Sequence, residues 1–199
     1  DYAAQEGTDL SNYEISVVTG KIAVVSAPIP VGPGGAIAVI GYTNVYDGAA
    51  HGVIVSADGL LTEPTYAYAA TEDGDWSDTS PVYANVCDTQ VWYRITAPNY
   101  APVVGTVGVR ITPRLVTLTS KSDTKVYDGT PLTAHEVTIG CDGFADGEGA
   151  SYAFNGSQTV VGISENAFTY TFNANTAAGN YEIATASGTL TVTKATYPG

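Results

Sequence analysis

The sequence predicts an all-β fold of two tandem β-sandwich-like modules, and three observations carry that prediction. Apolar and polar residues alternate at Thr189-Leu190-Thr191-Val192-Thr193, Phe168-Thr169-Tyr170-Thr171-Phe172 and Val91-Trp92-Tyr93-Arg94-Ile95. This period of two belongs to strands that bury one face and wet the other. Turn dipeptides punctuate the chain at Asp47-Gly48, Asp58-Gly59, Asp73-Gly74, Asp128-Gly129, Asp142-Gly143 and Asn155-Gly156. In each, the Asx side chain caps locally and glycine accepts positive φ. Landmarks also return at one fixed spacing. Val45-Tyr46-Asp47-Gly48 recurs as Val126-Tyr127-Asp128-Gly129, and Asn99-Tyr100 as Asn180-Tyr181, both 81 residues later. No stretch shows helical periodicity with caps. The alternative architecture is a β-grasp-like roll with one short helix per module.

Residues 1–26 carry a third copy of the closing signature. Asn12-Tyr13-Glu14-Ile15 matches Asn180-Tyr181-Glu182-Ile183, Gly20 falls where Gly188 falls, and Ile22 and Val24 match Leu190 and Val192. This stretch reads as the closing hairpin of a preceding module, or as accessory strands of the first. An isolated hairpin is marginal in water, so it is expected to pair with or pack on the first full module. Residues 27–36, containing Ala27-Pro28-Ile29-Pro30-Val31-Gly32-Pro33-Gly34-Gly35, read as a linker. Module 1 then covers 37–113 and module 2 covers 114–199, joined tightly at Thr112-Pro113-Arg114. Between the landmarks, Tyr66 and Tyr68 resemble Tyr152 and Phe154. Val91, Tyr93 and Ile95 resemble Phe168, Tyr170 and Phe172, and Val86-Cys87 falls where Val161-Gly162 falls. A module of about 80 residues is large enough to fold alone, with little margin.

Composition narrows the function. Seven Lys+Arg stand against 20 Asp+Glu, a net charge of −13, which leaves too few cations to hold nucleic-acid phosphates. Anionic membrane surfaces are disfavoured for the same reason, and no apolar run approaches the 18 residues or so of a membrane span. With 44% hydrophobic and 14% charged residues, the chain has the means to form a core. It contains no Met and begins at Asp1, which reads as a processed or excised form. Cys87 and Cys141 are too few for a disulfide scaffold or a zinc site, and they occupy non-matching places, so free thiols are expected.

The Val-Tyr-Asp-Gly landmark, the Asn-Tyr closure and the final strands, Val109-Arg110-Ile111-Thr112-Pro113 and Leu190-Thr191-Val192-Thr193-Lys194, together resemble the YDG and MBG (mostly-β, glycine-rich) repeats of bacterial surface proteins and large adhesins. Gly143-Phe144 followed by Gly147-Glu148-Gly149 is similar to the glycine-acid stretch in the middle of such repeats, whereas Glu72 to Asp78 departs from it. The resemblance covers roughly residues 37–194 and the fragment 1–26. It implies an extracellular, cell-wall-associated stalk of tandem β modules whose partners are neighbouring repeats, and it implies no catalytic residues and no cofactor.

Specific chemistry has few candidates. Tyr46, Asp47, Gly48, Tyr127, Asp128, Gly129, Asn99, Tyr100, Asn180 and Tyr181 read as structural motif residues. Asp-Gly supplies a tight turn, and the preceding Tyr is expected at a core edge with its hydroxyl satisfied. Asp73, Asp75 and Asp78 form the one calcium-like cluster, because hard cations take several carboxylates on a flexible loop. Trp76 and Trp92 raise contact with a host glycan or mucin, since aromatic faces stack on sugar rings. His51 and His135 have no Cys or His partners nearby in the sequence, and no Gly-x-Ser-x-Gly elbow or phosphate-binding glycine loop occurs. A self-formed Lys–Asn cross-link would need Lys21, Lys121, Lys125 or Lys194, and no matching acid-plus-Asn frame accompanies them.

Overall fold

The β-branched and aromatic residues, which suit a pleated half-buried surface, form strands throughout the computed structural model, which describes residues 13–18, 21–29 and 37–197. The fold is all-β. Among the described residues, regular structure is almost entirely strand, with a single 3-10 turn at Ala178–Asn180. No helix among them is long and apolar enough to cross a membrane. The chain forms two compact units. One takes the described residues up to Thr43, with Ala50–Tyr83 and Cys87–Arg110. The other takes Asn44–Ala49, Ala84–Val86 and the described residues from Ile111 onward.

The strands of the first half are β1 (Tyr13–Val18), β2 (Lys21–Pro28), β3 (Ile37–Ile40), β4 (Tyr42–Val45), β5 (His51–Gly52), β6 (Ile54–Ala57), β7 (Thr65–Ala69), β8 (Val82–Tyr83), β9 (Cys87–Thr96), β10 (Tyr100–Ala101) and β11 (Val103–Thr112). Four of them form a sheet in the order β4-β11-β9-β7. β1 and β2 make an antiparallel hairpin, Tyr13 opposite Ser26 and Val18 opposite Lys21. The end of β2 lies parallel to β10, with Tyr100 opposite Ala27 and Ala101 opposite Pro28. The stretch 27–36, expected to be a linker, therefore starts inside a strand. Ile29 is buried in the same core as Val55, Val91, Ile95, Tyr100 and Val109. Residues 1–12, 19–20 and 30–36 lie outside the described residues.

The second half contributes β12 (Arg114–Ser120), β13 (Asp123–Val126), β14 (Val137–Cys141), β15 (Ala150–Phe154), β16 (Gly162–Asn166), β17 (Phe168–Phe172), β18 (Tyr181–Ala186) and β19 (Gly188–Thr193). β12 runs parallel to β18 from Arg114 opposite Tyr181 to Thr119 opposite Ala186. β13 runs parallel to β19 from Asp123 opposite Leu190 to Val126 opposite Thr193. One register, each residue facing the one 67 positions later, thus holds across both pairs. Residues 114–126 and 181–193 run alongside each other as two strands apiece, interrupted at 121–122 and at Ser187. Inward positions close the core with Val116, Leu118, Leu190 and Val192, all essentially buried. The closing signature is accordingly no hairpin here, unlike β1 and β2. One residue, Ser187, separates β18 from β19, too short a connection to reverse the chain, whereas two residues separate β1 from β2.

Many contacts recur at matched positions. Tyr46 N–H donates to Thr112 O at 2.9 Å and Tyr127 N–H to Thr193 O at 2.8 Å. The Thr112 hydroxyl donates to Asn44 O at 3.4 Å and the Thr193 hydroxyl to Lys125 O at 3.3 Å. All four bonds respect the 81-residue spacing. Elsewhere the offset slips. Tyr66 and Tyr68 face Ile95 and Tyr93, while Tyr152 and Phe154 face Tyr170 and Phe168. Tyr93 and Ile95 therefore correspond to Phe168 and Tyr170, two residues away from the match expected by eye. A slip of two keeps every side chain on its face, which is why the alternation alone did not reveal it. The bridge between His51 and Tyr83 has its counterpart between Leu132 and Gln158.

Candidate functional site: a tyrosine–glutamate cluster

The two Tyr-Asp-Gly triplets build the same turn. Gly48 and Gly129 take φ of +83° and +82°, the left-handed region open to glycine. Asp47 Oδ1 accepts the Ala49 N–H at 2.9 Å, and Asp128 Oδ1 accepts the Thr130 N–H at 2.9 Å, so both are Asx turns. Lys125 donates to Asp128 Oδ1 at 2.7 Å. That ammonium, then the Thr130 N–H and hydroxyl, hold the Asp128 carboxyl well below the usual carboxylate range.

The environments of the two tyrosines differ. Tyr46 is buried, 5% exposed, whereas Tyr127 is 44% exposed. Within the second unit, the Tyr46 hydroxyl donates to Glu148 Oε1 at 2.5 Å and the Tyr181 hydroxyl donates to Oε2 of the same carboxylate at 2.6 Å. The Tyr181 oxygen also accepts the Ala145 N–H at 3.1 Å. The two rings meet edge to face at 5.6 Å, and Phe144 and Phe172 pack on Tyr181 at 5.2 and 6.1 Å. Burial first, then the Glu148 carboxylate as acceptor, push the Tyr181 phenol up to about 12 and raise Tyr46 as well. Both hydroxyls thus keep the protons they donate.

Local sequence explains the placement. Glu148 closes a turn in which its N–H donates to Ala145 O at 3.0 Å, with Gly147 at φ +75°. The Gly149 N–H is then tied to Thr176 Oγ1 at 2.8 Å. Arg114, the first residue of β12, spreads its guanidinium over three carbonyls: Nε to Gly143 at 2.8 Å, Nη2 to Asp142 at 2.7 Å and Nη1 to Tyr46 at 3.2 Å. Asn180, nearly fully buried, accepts the Val86 N–H on Oδ1 and donates from Nδ2 to Asn85 Oδ1, both at 2.9 Å. Its counterpart Asn99 is exposed, with φ of 70°. Tyr100 is buried like Tyr181, and its hydroxyl oxygen accepts the Leu61 N–H at 3.4 Å. Chemically, the cluster fastens the short segments 44–49 and 84–86 to groups far along the chain. It spends its donors and acceptors on holding.

The other sequence candidates fall elsewhere. Asp73, Asp75 and Asp78 are exposed, and among the described residues no group of three His, Cys, Asp or Glu is gathered as a metal ion requires. Trp76 has the Arg94 guanidinium over one ring face, 4.5 Å from its centroid, a cation–π contact. Trp92 is half-buried on β9, opposite Ala69. Cys87 and Cys141 are free thiols. His51 stacks on Tyr42 at 3.8 Å, and His135 on Phe154 at 5.1 Å.

Sequence reasoning named Tyr46, Asn180 and Tyr181 but gave Glu148, Arg114 and Asn85 no role. Two signals were present: an acid between two glycines, and an arginine placed at the tight join. No protein-family model matches the chain, and no curated protein matches it either.

Proposed function

We propose that this chain is a run of tandem β modules of the YDG/MBG type, serving as a non-catalytic spacer or stalk in a bacterial surface adhesin. One observation supports it above the others. Several hydrogen bonds, the two Asx turns and some strand partners recur at matched positions in the two halves, which is how a duplicated module behaves. A spacer needs units that fold firmly, and the polar cluster described above is committed to holding the second unit together. The net charge of −13 keeps such an array soluble and self-repelling. Neighbouring modules are its partners, and calcium, glycan and catalysis have no part in this function.

Deleting this region from its parent protein in the source bacterium tests the proposal. The shortened parent is expected to stay on the cell surface, labelled by antibody on intact cells, and to keep its ligand specificity. Adhesion is expected to fall only where a polysaccharide layer separates the cell from its target. Loss of ligand binding in direct contact would show that this region itself is the binding part.

A further inference from the structure

The segments that the cluster holds have counterparts, and those counterparts are exposed. Matching hydrogen bonds map Tyr46 onto Tyr127. Matching strand partners map Tyr83 onto Gln158 and Tyr93 onto Phe168, so Val86 maps onto Val161. Tyr127 is 44% exposed where Tyr46 is buried, and Val161 is 46% exposed where Val86 is half-buried, while Val126 and Val160, at 57% and 66%, are exposed as Val45 and Asn85 also are. They lie together. Val126 faces Thr193 and Gly162 faces Val192, so the end of β13 and the start of β16 flank the same end of β19. Two apolar residues left exposed where their counterparts are covered, with two more exposed valines beside them, mark an interaction surface at this end of the sheet.

From this we infer that the end of the β13-β19-β16 sheet is a docking surface, and that its occupant is a further β module carrying the holding groups of the second unit. Those groups are an arginine opening its first strand, a carboxylate following a turn glycine, and an Asn-Tyr pair opening its last strand. The complementarity is already drawn at Tyr46. Tyr127 offers a hydroxyl for the carboxylate and a carbonyl for the guanidinium, and Val161 offers an N–H for the carboxamide oxygen. Tyr127 sits on a turn with the same φ and the same Asx bond as Tyr46, so it is presented in the same way. At position 160 a valine replaces Asn85, which exchanges one carboxamide bond for apolar contact. This inference rests on the repeat interpretation above and gives it a specific joint.

The test extends the chain from Lys194, the copy taking the place of residues 195–199. The period makes Lys194 the counterpart of Pro113, so a second copy of residues 114–193 is appended directly after Lys194. Amide exchange at Tyr127 and Val161 is expected to slow by about tenfold or more relative to the unextended chain, as for a segment gaining a hydrogen-bonded seat. Tyr127→Ala is expected to leave the unextended chain unchanged but to lower the melting midpoint of the extended chain by about 5 °C. The Glu→Gln change at the position of Glu148 in the appended copy should reduce the same protection. Unchanged exchange beside a folded copy overturns the inference, as does a Tyr127→Ala penalty equal in both chains. A copy that stays unfolded overturns it too, because the seated turn should complete it. Protection at Tyr127 that rises with concentration of the unextended chain assigns the surface to a second copy and overturns the in-line joint. Failure here leaves the spacer proposal standing, since loosely joined modules also span distance; that proposal fails on the deletion experiment instead.

Discussion

Glu148 ties distant parts of the second unit together, because both of its oxygens are committed to tyrosines distant in sequence. Tyr46→Phe removes one charge-assisted bond and is expected to cost about 2 kcal/mol. Glu148→Ala is expected to cost more, leaving two buried hydroxyls without their acceptor. Urea unfolding of both single variants and the double should show strong coupling, and additive losses would mean that the bond contributes nothing of its own. The phenols also set an alkaline limit. Tyr181 is raised from the ordinary value of 10 to about 12. Its contribution is therefore complete below the unfolded value and is lost as pH climbs from about 10 through about 12. Tyr181→Phe should be less stable at neutral pH yet show a shallower decline across that window, read by denaturant midpoints at each pH. The tyrosines were legible in the sequence because their motifs repeat. Glu148 and Arg114 were not, because the residues 81 positions earlier are Ala67 and Pro33. A group that occurs once leaves no periodic trace.

Strands were the easiest elements to read, since period-two alternation is a direct consequence of burying one face. β12, with its buried Val116, Leu118 and Ser120, and β19, with Gly188, Leu190 and Val192, alternate as the pattern requires. Their pairing was less legible. Alternation fixes which face a residue takes but not which neighbour it meets, so the slip of two along β17 and the pairing of β18 and β19 with β12 and β13 in place of each other are properties of the folded sheet. Turn identity was written in four of the six dipeptides: Gly48, Gly59, Gly129 and Gly143 take positive φ, whereas Gly74 and Gly156 do not. Gly48→Ala and Gly129→Ala each force a side chain into the left-handed region, and each should cost about 1–2 kcal/mol. A Cβ at Gly129 meets nothing within 4 Å, and one at Gly48 meets the Ala145 Cβ at an ordinary 3.5 Å. The two penalties should therefore agree closely when measured by denaturant unfolding. A large disparity would mean that the turns are less alike than their geometry indicates.

At the scale of the molecule, the sequence suggested a division after residue 113, whereas the second compact unit also takes in 44–49 and 84–86. The difference comes from side-chain chemistry that spacing cannot express: one carboxylate, one guanidinium and one carboxamide gather those segments. Tyr46→Ala should consequently weaken amide protection along β18 and around Glu148 more than along β6 and β7, as hydrogen exchange would report. The parallel ladder of the second unit has a mechanical corollary. Arg114 begins β12 and Thr193 ends β19, and the β12–β18 and β13–β19 ladders share a single register. Tension applied at those two ends tries to slide the strands past each other, loading all the rungs at once. Tension applied at Arg114 and Tyr181, which face each other, would peel the rungs apart singly at much lower force. A module strung by its natural ends is thus hung in the direction in which its backbone resists hardest.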